Sequence, residues 1–158
     1  MIPLTLLQIS AAVVWVDFLT IALHKFLDFG RSLDEWYATF GMVAVLSDSL
    51  VIVLGIMLAQ LLFAPSTLMG LVATSVVIQI VHDVLFYLLV IVPIPQGHNS
   101  MIDLFKKYAA ENNWKILGYD SLMIGSTVLL ASQFTSRTWT PFIGLLGVYA
   151  LSYIIYTR

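Results

Sequence analysis

The chain has no cysteine, which excludes disulfides, thiolate metal sites and cysteine nucleophiles together. Charge is almost as scarce. Asp, Glu, Lys and Arg make up 10% of the 158 residues, where a soluble domain carries about 25%. A net charge of −2 leaves no basic footprint, so nucleic acid is not an expected partner. Asn99, Asn112 and Asn113 all lack a hydroxyl residue two places on, so there is no N-glycosylation acceptor. No Lys or Arg precedes Lys25, and no small-residue cleavage pattern closes a short apolar run. The first segment is therefore expected to be a retained span, not a cleaved signal. Nucleophile elbow, zinc-helix motif and phosphate loop are all missing.

What fills the chain instead is hydrocarbon. Hydrophobic residues make up 60% of it and mean hydropathy is +0.97, so water is not the solvent for most of its surface. The expected fold is all-α: one transmembrane domain over 1–158, an integral membrane helical bundle in lipid. About 20 apolar residues cross the hydrocarbon layer as a helix. Spans are expected over 2–26, 36–63, 66–92, 114–134 and 141–156, bounded by the polar stretch Asp28–Glu35, Ala64-Pro65, and Pro93 with Pro95. That makes five, or four if the short last segment does not cross.

The connector between the third and fourth spans carries its own signal. Asn99 or Ser100 can cap a helix over 100–111, with Met101, Leu104, Phe105 and Tyr108 on one face and Asp103, Lys106, Lys107 and Glu111 elsewhere. This pattern suits a short amphipathic helix at the membrane interface, or a solvated one covering the bundle end. Lys25, Arg31, Lys106, Lys107, Lys115 and Arg158 fall on one side of a five-span topology, and Arg137 alone on the other. Positive-inside asymmetry then puts the N-terminus outside and the C-terminus in the cytoplasm. Trp36, Tyr37, Trp114 and Trp139 read as interfacial belts.

Each of the first four spans holds an aspartate: Asp17, Asp48, Asp83 and Asp120, with His82 beside the third. An ionised carboxylate at mid-helix costs about 2.5–3.5 kcal/mol on insertion scales. Helical rise puts Asp17, Asp48 and Asp83 at roughly 15 Å depth and Asp120 at about 9 Å, nearer the cytoplasmic mouth. Polar residues extend the faces: Ser10, Thr20 and His24 with Asp17, and Ser75 and Gln79 with Asp83. Gly41 and Gly55 flank Asp48, while Gly118, Ser121 and Gly125 surround Asp120, as close helix packing requires. A faint repeat joins Asp48-Ser49-Leu50-Val51-Ile52 to Asp120-Ser121-Leu122-Met123-Ile124, and Val16-Asp17-Phe18-Leu19 to His82-Asp83-Val84-Leu85. Two parallel hairpins about an axis along the membrane normal would produce it.

These residues support an ion or proton site of Asp17, Asp48, Asp83, His82 and Asp120, supported by Ser10, Thr20, Gln79 and Ser121. One form of it is a bound cation, with Asp17, Asp48, Asp83 and His82 as metal ligands. Another is a set of carboxyls sharing protons. No basic side chain lies at that depth to neutralise them. A structural or assembly protein with hydrogen-bonded aspartates is one alternative, and a membrane-embedded enzyme acting on a lipid through Asp and His is the other. His24 reads as a snorkelling interfacial residue, and His98 as a turn residue or headgroup contact. A haem between His24 and His82 is disfavoured by their difference in depth. Gly144, Gly147 and Tyr149 on the last span form a face for a second copy, giving a homo-oligomer, or for the chain's own bundle.

The stretches Val45-Leu46-Ser47-Asp48, His82-Asp83-Val84-Leu85-Phe86-Tyr87, Pro93-Ile94-Pro95-Gln96-Gly97-His98-Asn99 and Tyr149-Ala150-Leu151-Ser152-Tyr153 resemble parts of uncharacterised small membrane proteins encoded by large DNA viruses of algae and protists. The resemblance runs over most of the chain. It implies a multi-span α-helical protein in a host or virion membrane, and brings no activity and no catalytic residue with it.

Overall fold

A computed structural model describes residues 3–27 and 31–157. Among these the chain is all-helical, with seven α-helices and no strand: α1 (Leu6–Leu27), α2 (Arg31–Phe40), α3 (Met42–Phe63), α4 (Leu68–Phe86), α5 (Ser100–Asn112), α6 (Lys115–Ala131) and α7 (Trp139–Ile154). A π-helical turn over Tyr87–Ile91 continues α4. Three helices are long and apolar enough to cross a membrane: Leu6–Phe26, Met42–Phe63 and Leu68–Ile91. α6 and α7 are shorter, at 17 and 16 residues.

The helix ends follow local chemistry. Thr5 and Gln8 form a reciprocal capping box, the Gln8 amide donating to Thr5 Oγ1 and the Thr5 amide to Gln8 Oε1. Thr67 caps α4 by accepting from the Gly70 amide at 3.0 Å. Asn99 caps α5, accepting from the amides of Met101 and Ile102. The cap expected at that position is thus in place. The start of α2 is served from a distance: Glu111 on α5 accepts the backbone amides of Arg31 and Ser32 at 3.0 Å each. The Ser32 side chain and amide, and then the amide and charge of Arg31, hold the Glu111 carboxyl below its ordinary range.

The stretch read as a single span from Trp36 is divided. Gly41, at φ +52° and ψ −128°, breaks the chain between α2 and α3. Only a residue without Cβ takes that conformation cheaply. Asn113, at φ +52° and ψ −135°, makes the same break between α5 and α6. The two breaks are 72 residues apart, and this interval also relates Asp48 to Asp120, Ser49 to Ser121, and Glu35 to Lys107. Each half thus runs long helix, short amphipathic helix, long helix. Packing matches, since α1 lies beside α3 and α6, and α4 beside the same two. The short helices α2 and α5 meet each other, and Lys107 Nζ donates to Glu35 Oε1 at 2.9 Å across that contact.

α7 stands outside the repeat and packs along α1. A Cβ on Gly147 would come within 2.6 Å of Val14 Cγ1, and one on Gly144 within 3.2 Å of Ala11 Cβ. Trp15 Nε1 donates to the Ile143 carbonyl at 3.0 Å in the same seam. The glycine face of α7 is therefore occupied by this chain's own first helix.

Apolar packing gathers at two levels. Ile9, Val13, Ile52, Ile56, Leu71, Ile124 and Val128 fill the half of the bundle near the N-terminus. Ile21, Trp36, Tyr37, Val45, Leu104, Leu151 and Ile155 pack at the other end, under α2 and α5. Leucines on the outer faces are largely exposed, Leu61, Leu89, Leu122 and Leu145 among them. In water such a surface would drive aggregation; in lipid it is the expected contact.

Candidate functional site

The aspartates anticipated in the spans separate into two groups. In the first half, Asp17 is 2% exposed and accepts a hydrogen bond from Ser49 Oγ on α3. Asp48, one residue before Ser49, turns to the other side. Its Oδ2 accepts from Trp36 Nε1 at 3.1 Å, with Tyr37 Oη at 3.4 Å as a longer contact. Each first-half carboxyl thus has neutral donors of its own.

The second half is arranged otherwise. Asp83 Oδ1 accepts from Gln79 Nε2 at 2.8 Å and lies 3.1 Å from His82 Nδ1. The Asp120 carboxyl, from α6, lies within hydrogen-bonding reach of the Asp83 carboxyl. Asp83 Oδ2 and Gln79 Oε1 are buried with no conventional donor among the described residues, and so is the Ser75 hydroxyl one turn further along α4. Two acidic groups in contact cannot both stay ionised without a compensating cation or proton.

Both groups border one space. A cavity of about 1130 Å³ runs from Gln79, Ile52 and Met123 in mid-bundle to Ser32 and Trp114 at the end closed by α2 and α5. Asp48, Asp83, Asp120 and His82 line it; among the described residues no Lys or Arg does. These three carboxyls are half-buried and His82 is exposed, as groups facing an internal opening would be. The wall is otherwise aromatic and aliphatic. Phe105 packs on Trp36 at 4.9 Å and edge-on to Phe86 at 5.8 Å, and Phe86 stacks on His82 at 5.7 Å. Tyr108 of α5 also borders the cavity. Burial raises its phenol well above the ordinary value, and the negative charges of Asp120 and Asp48 push it the same way. It stays a hydroxyl, able to donate.

Several expectations are corrected. Asp17, Asp48, Asp83 and His82 do not assemble as a metal donor set, and no group of three or more His, Asp and Glu among the described residues is placed to hold a metal ion. The reason is the helix faces: Asp17 and Asp48 turn to separate partners before they can meet Asp83. Asp120, expected nearer the mouth, is the residue that joins Asp83. Thr20 and Gln79 line the cavity, whereas Ser10 and Ser121 do not; Ser121 Oγ donates to its own helix at Leu117 O. His24 is no snorkelling side chain. It is 1% exposed, with Nε2 3.1 Å from Asp34 Oδ1 on α2.

Trp36 and Tyr37, read as a belt, are each 5% exposed and serve Asp48, while Trp114 and Trp139 are mostly exposed as belt residues should be. These two aromatic partners, together with Tyr108, are what sequence reasoning missed. The 72-residue spacing was the available signal, since Trp36 precedes Asp48 by the same distance that Tyr108 precedes Asp120.

No family model, no curated protein and no solved structure matches the chain. Function is therefore argued from the site alone.

Proposed function

We propose that this protein is a five-span membrane protein in which the Asp83–Asp120 pair, with His82, takes up and releases protons at an internal cavity. The single observation that carries the reading is two carboxyls within hydrogen-bonding reach, in a cavity whose lining contains no Lys or Arg among the described residues. A proton shared between them removes the charge that lipid would otherwise penalise. His82 Nδ1 lies 3.1 Å from Asp83 Oδ1 and the ring is itself accessible, which gives the pair a neighbour that can pass a proton on.

In this reading α1, α3, α4 with its π turn, α6 and α7 cross the bilayer. At 1.5 Å per residue α6 and α7 reach about 25 Å, a little short of a hydrocarbon layer of about 30 Å, and modest local thinning accommodates them. Lys25, Arg31, Lys106, Lys107 and Lys115 gather at the end carrying α2 and α5, which supports that end as the cytoplasmic one. The Asp17–Ser49 contact favours a structural role for that pair, as glue between α1 and α3.

Proton flux into liposomes loaded with a pH-sensitive dye tests this. Wild type should pass protons down an imposed gradient, and Asp83→Asn and Asp120→Asn should each lower the rate by about tenfold or more, the scale of removing a proton-transfer group. Equal rates in wild type and both variants, with all three proteins folded, would remove the basis for the reading.

A further inference from the structure

The cavity is far larger than a proton relay needs, and its chemistry selects an occupant. We infer that it binds a lipophilic organic cation, a multi-ring or long-chain ammonium or phosphonium, in exchange for the proton of the Asp83–Asp120 pair; the exchange rests on the proton reading above, the binding does not. Small-molecule sites span about 300–1,000 Å³, so about 1130 Å³ accommodates a molecule of several rings. An inorganic ion would leave most of that volume unfilled and would find no ligand set among the described residues.

Three observations decide the sign and polarity of the guest. Asp48, Asp83 and Asp120 line the cavity with no Lys or Arg opposite them among the described residues, so an anion or a phosphate headgroup is repelled. Gln79 borders the space and holds Asp83 in the wall, its Nε2 donating to Asp83 Oδ1 at 2.8 Å. Phe86, Phe105, Trp36 and Tyr108 border the same space, and rings of this kind attract a weakly hydrated cation within about 6 Å of their centroids. A bulky cation with spread charge has little hydration to lose on entry, so apolar walls and buried acids act on it together. A neutral lipid chain would use the walls but leave the acids unserved.

Equilibrium dialysis of tetraphenylphosphonium against the purified protein in nanodiscs of neutral lipid is the test, with tetraphenylborate as the probe of equal shape and opposite charge. Saturable binding of the phosphonium above that of empty nanodiscs is expected, tightening as pH rises, and the borate should show no binding beyond that of the empty nanodiscs. Calorimetry in buffers of different ionisation heat should register a proton released for each cation bound. Asp83→Asn and Asp120→Asn should weaken binding by about tenfold or more. Phe86→Leu, which keeps the wall apolar, should weaken it by a smaller factor and guards against variants that merely misfold. Equal binding of the two probes, or undiminished phosphonium binding in both Asn variants, would overturn the proposal. Phosphonium binding without proton release upholds the cation site and fails the proton reading. Proton flux without phosphonium binding does the reverse.

Discussion

The two halves of this protein place an aspartate-serine pair at matching positions and use it in opposite ways. On α3, Asp48 and Ser49 are both engaged, Asp48 by Trp36 and Tyr37 of α2, and Ser49 by Asp17 of α1. On α6, Ser121 bonds only to its own helix, and Asp120 meets another acid. The first arrangement satisfies every carboxyl with neutral donors and ties helices together. The second leaves two acids facing each other and acceptors without donors. Buried polar networks that are fully satisfied rigidify a bundle, while unsatisfied ones persist where something else completes them. The difference fits the proposed function, with the first half as the clamp and the second as the place where a proton or ligand would enter.

The largest expected effect that tests this division is on the clamp. Ser49→Ala removes the hydroxyl donor from Asp17, a side chain 2% exposed, and should destabilise by about 1–3 kcal/mol, the cost of a buried acceptor left unmet. Ser121→Ala, 72 residues on, loses only a bond to Leu117 O on its own helix and should stay within about 0.5 kcal/mol. Unfolding of both variants in mixed micelles provides the measurement. Equal losses would mean that the halves do not differ in the way the hydrogen bonds imply.

An effect of similar size concerns the breaks that start α3 and α6. Both sit at φ +52°, but one is glycine and the other asparagine. Gly41→Asn brings a side chain into a conformation that costs about 1–3 kcal/mol away from glycine, and its Cβ would meet Tyr156 Oη at 2.9 Å. Asn113→Gly relieves the same backbone and should stabilise by up to about 1 kcal/mol. Shifts of the same sign in the two variants would show that the breaks are not equivalent.

How much of this was legible beforehand depends on which periodicity carried it. The all-helical class, three long apolar helices among the described residues and the Asn99 cap follow from hydropathy and local rules, and they stand. The division at Gly41 was missed because the apolar run continues through Trp36, Tyr37 and Phe40, so composition gave no boundary; only a glycine at positive φ did. The acids were found individually, since an aspartate among leucines is conspicuous, yet their partners were not. Which carboxyl meets which is set by helix rotation and by whether α2 or α5 reaches in, and depth along a single helix carries neither. Depth grouped Asp17, Asp48 and Asp83; rotation grouped Asp83 with Asp120 instead. The Asp-Ser repeat was visible, but the 72-residue interval gains force only when both backbone breaks fall on it.

The smallest effect lies where the halves cap their short helices. α5 is capped by its own Asn99, whereas α2 borrows Glu111 from α5 through the Arg31 and Ser32 amides. A neutral cap is indifferent to pH and a carboxylate is not. Those bonds lower the Glu111 pKa in the folded state from its ordinary 4.5, so its contribution is fully present above that value and is lost as pH falls through the folded pKa. Wild type should therefore melt higher than Glu111→Gln at neutral pH, with the gap closing in acid as the carboxylate protonates. Because Glu111 is exposed and solvent screens it, the gap is expected to be small. Melting temperatures of the two proteins across the acid range settle it. A gap that stays constant through the protonation of Glu111 would mean that α2 is held by its packing on α5 and not by the charge at its first turn.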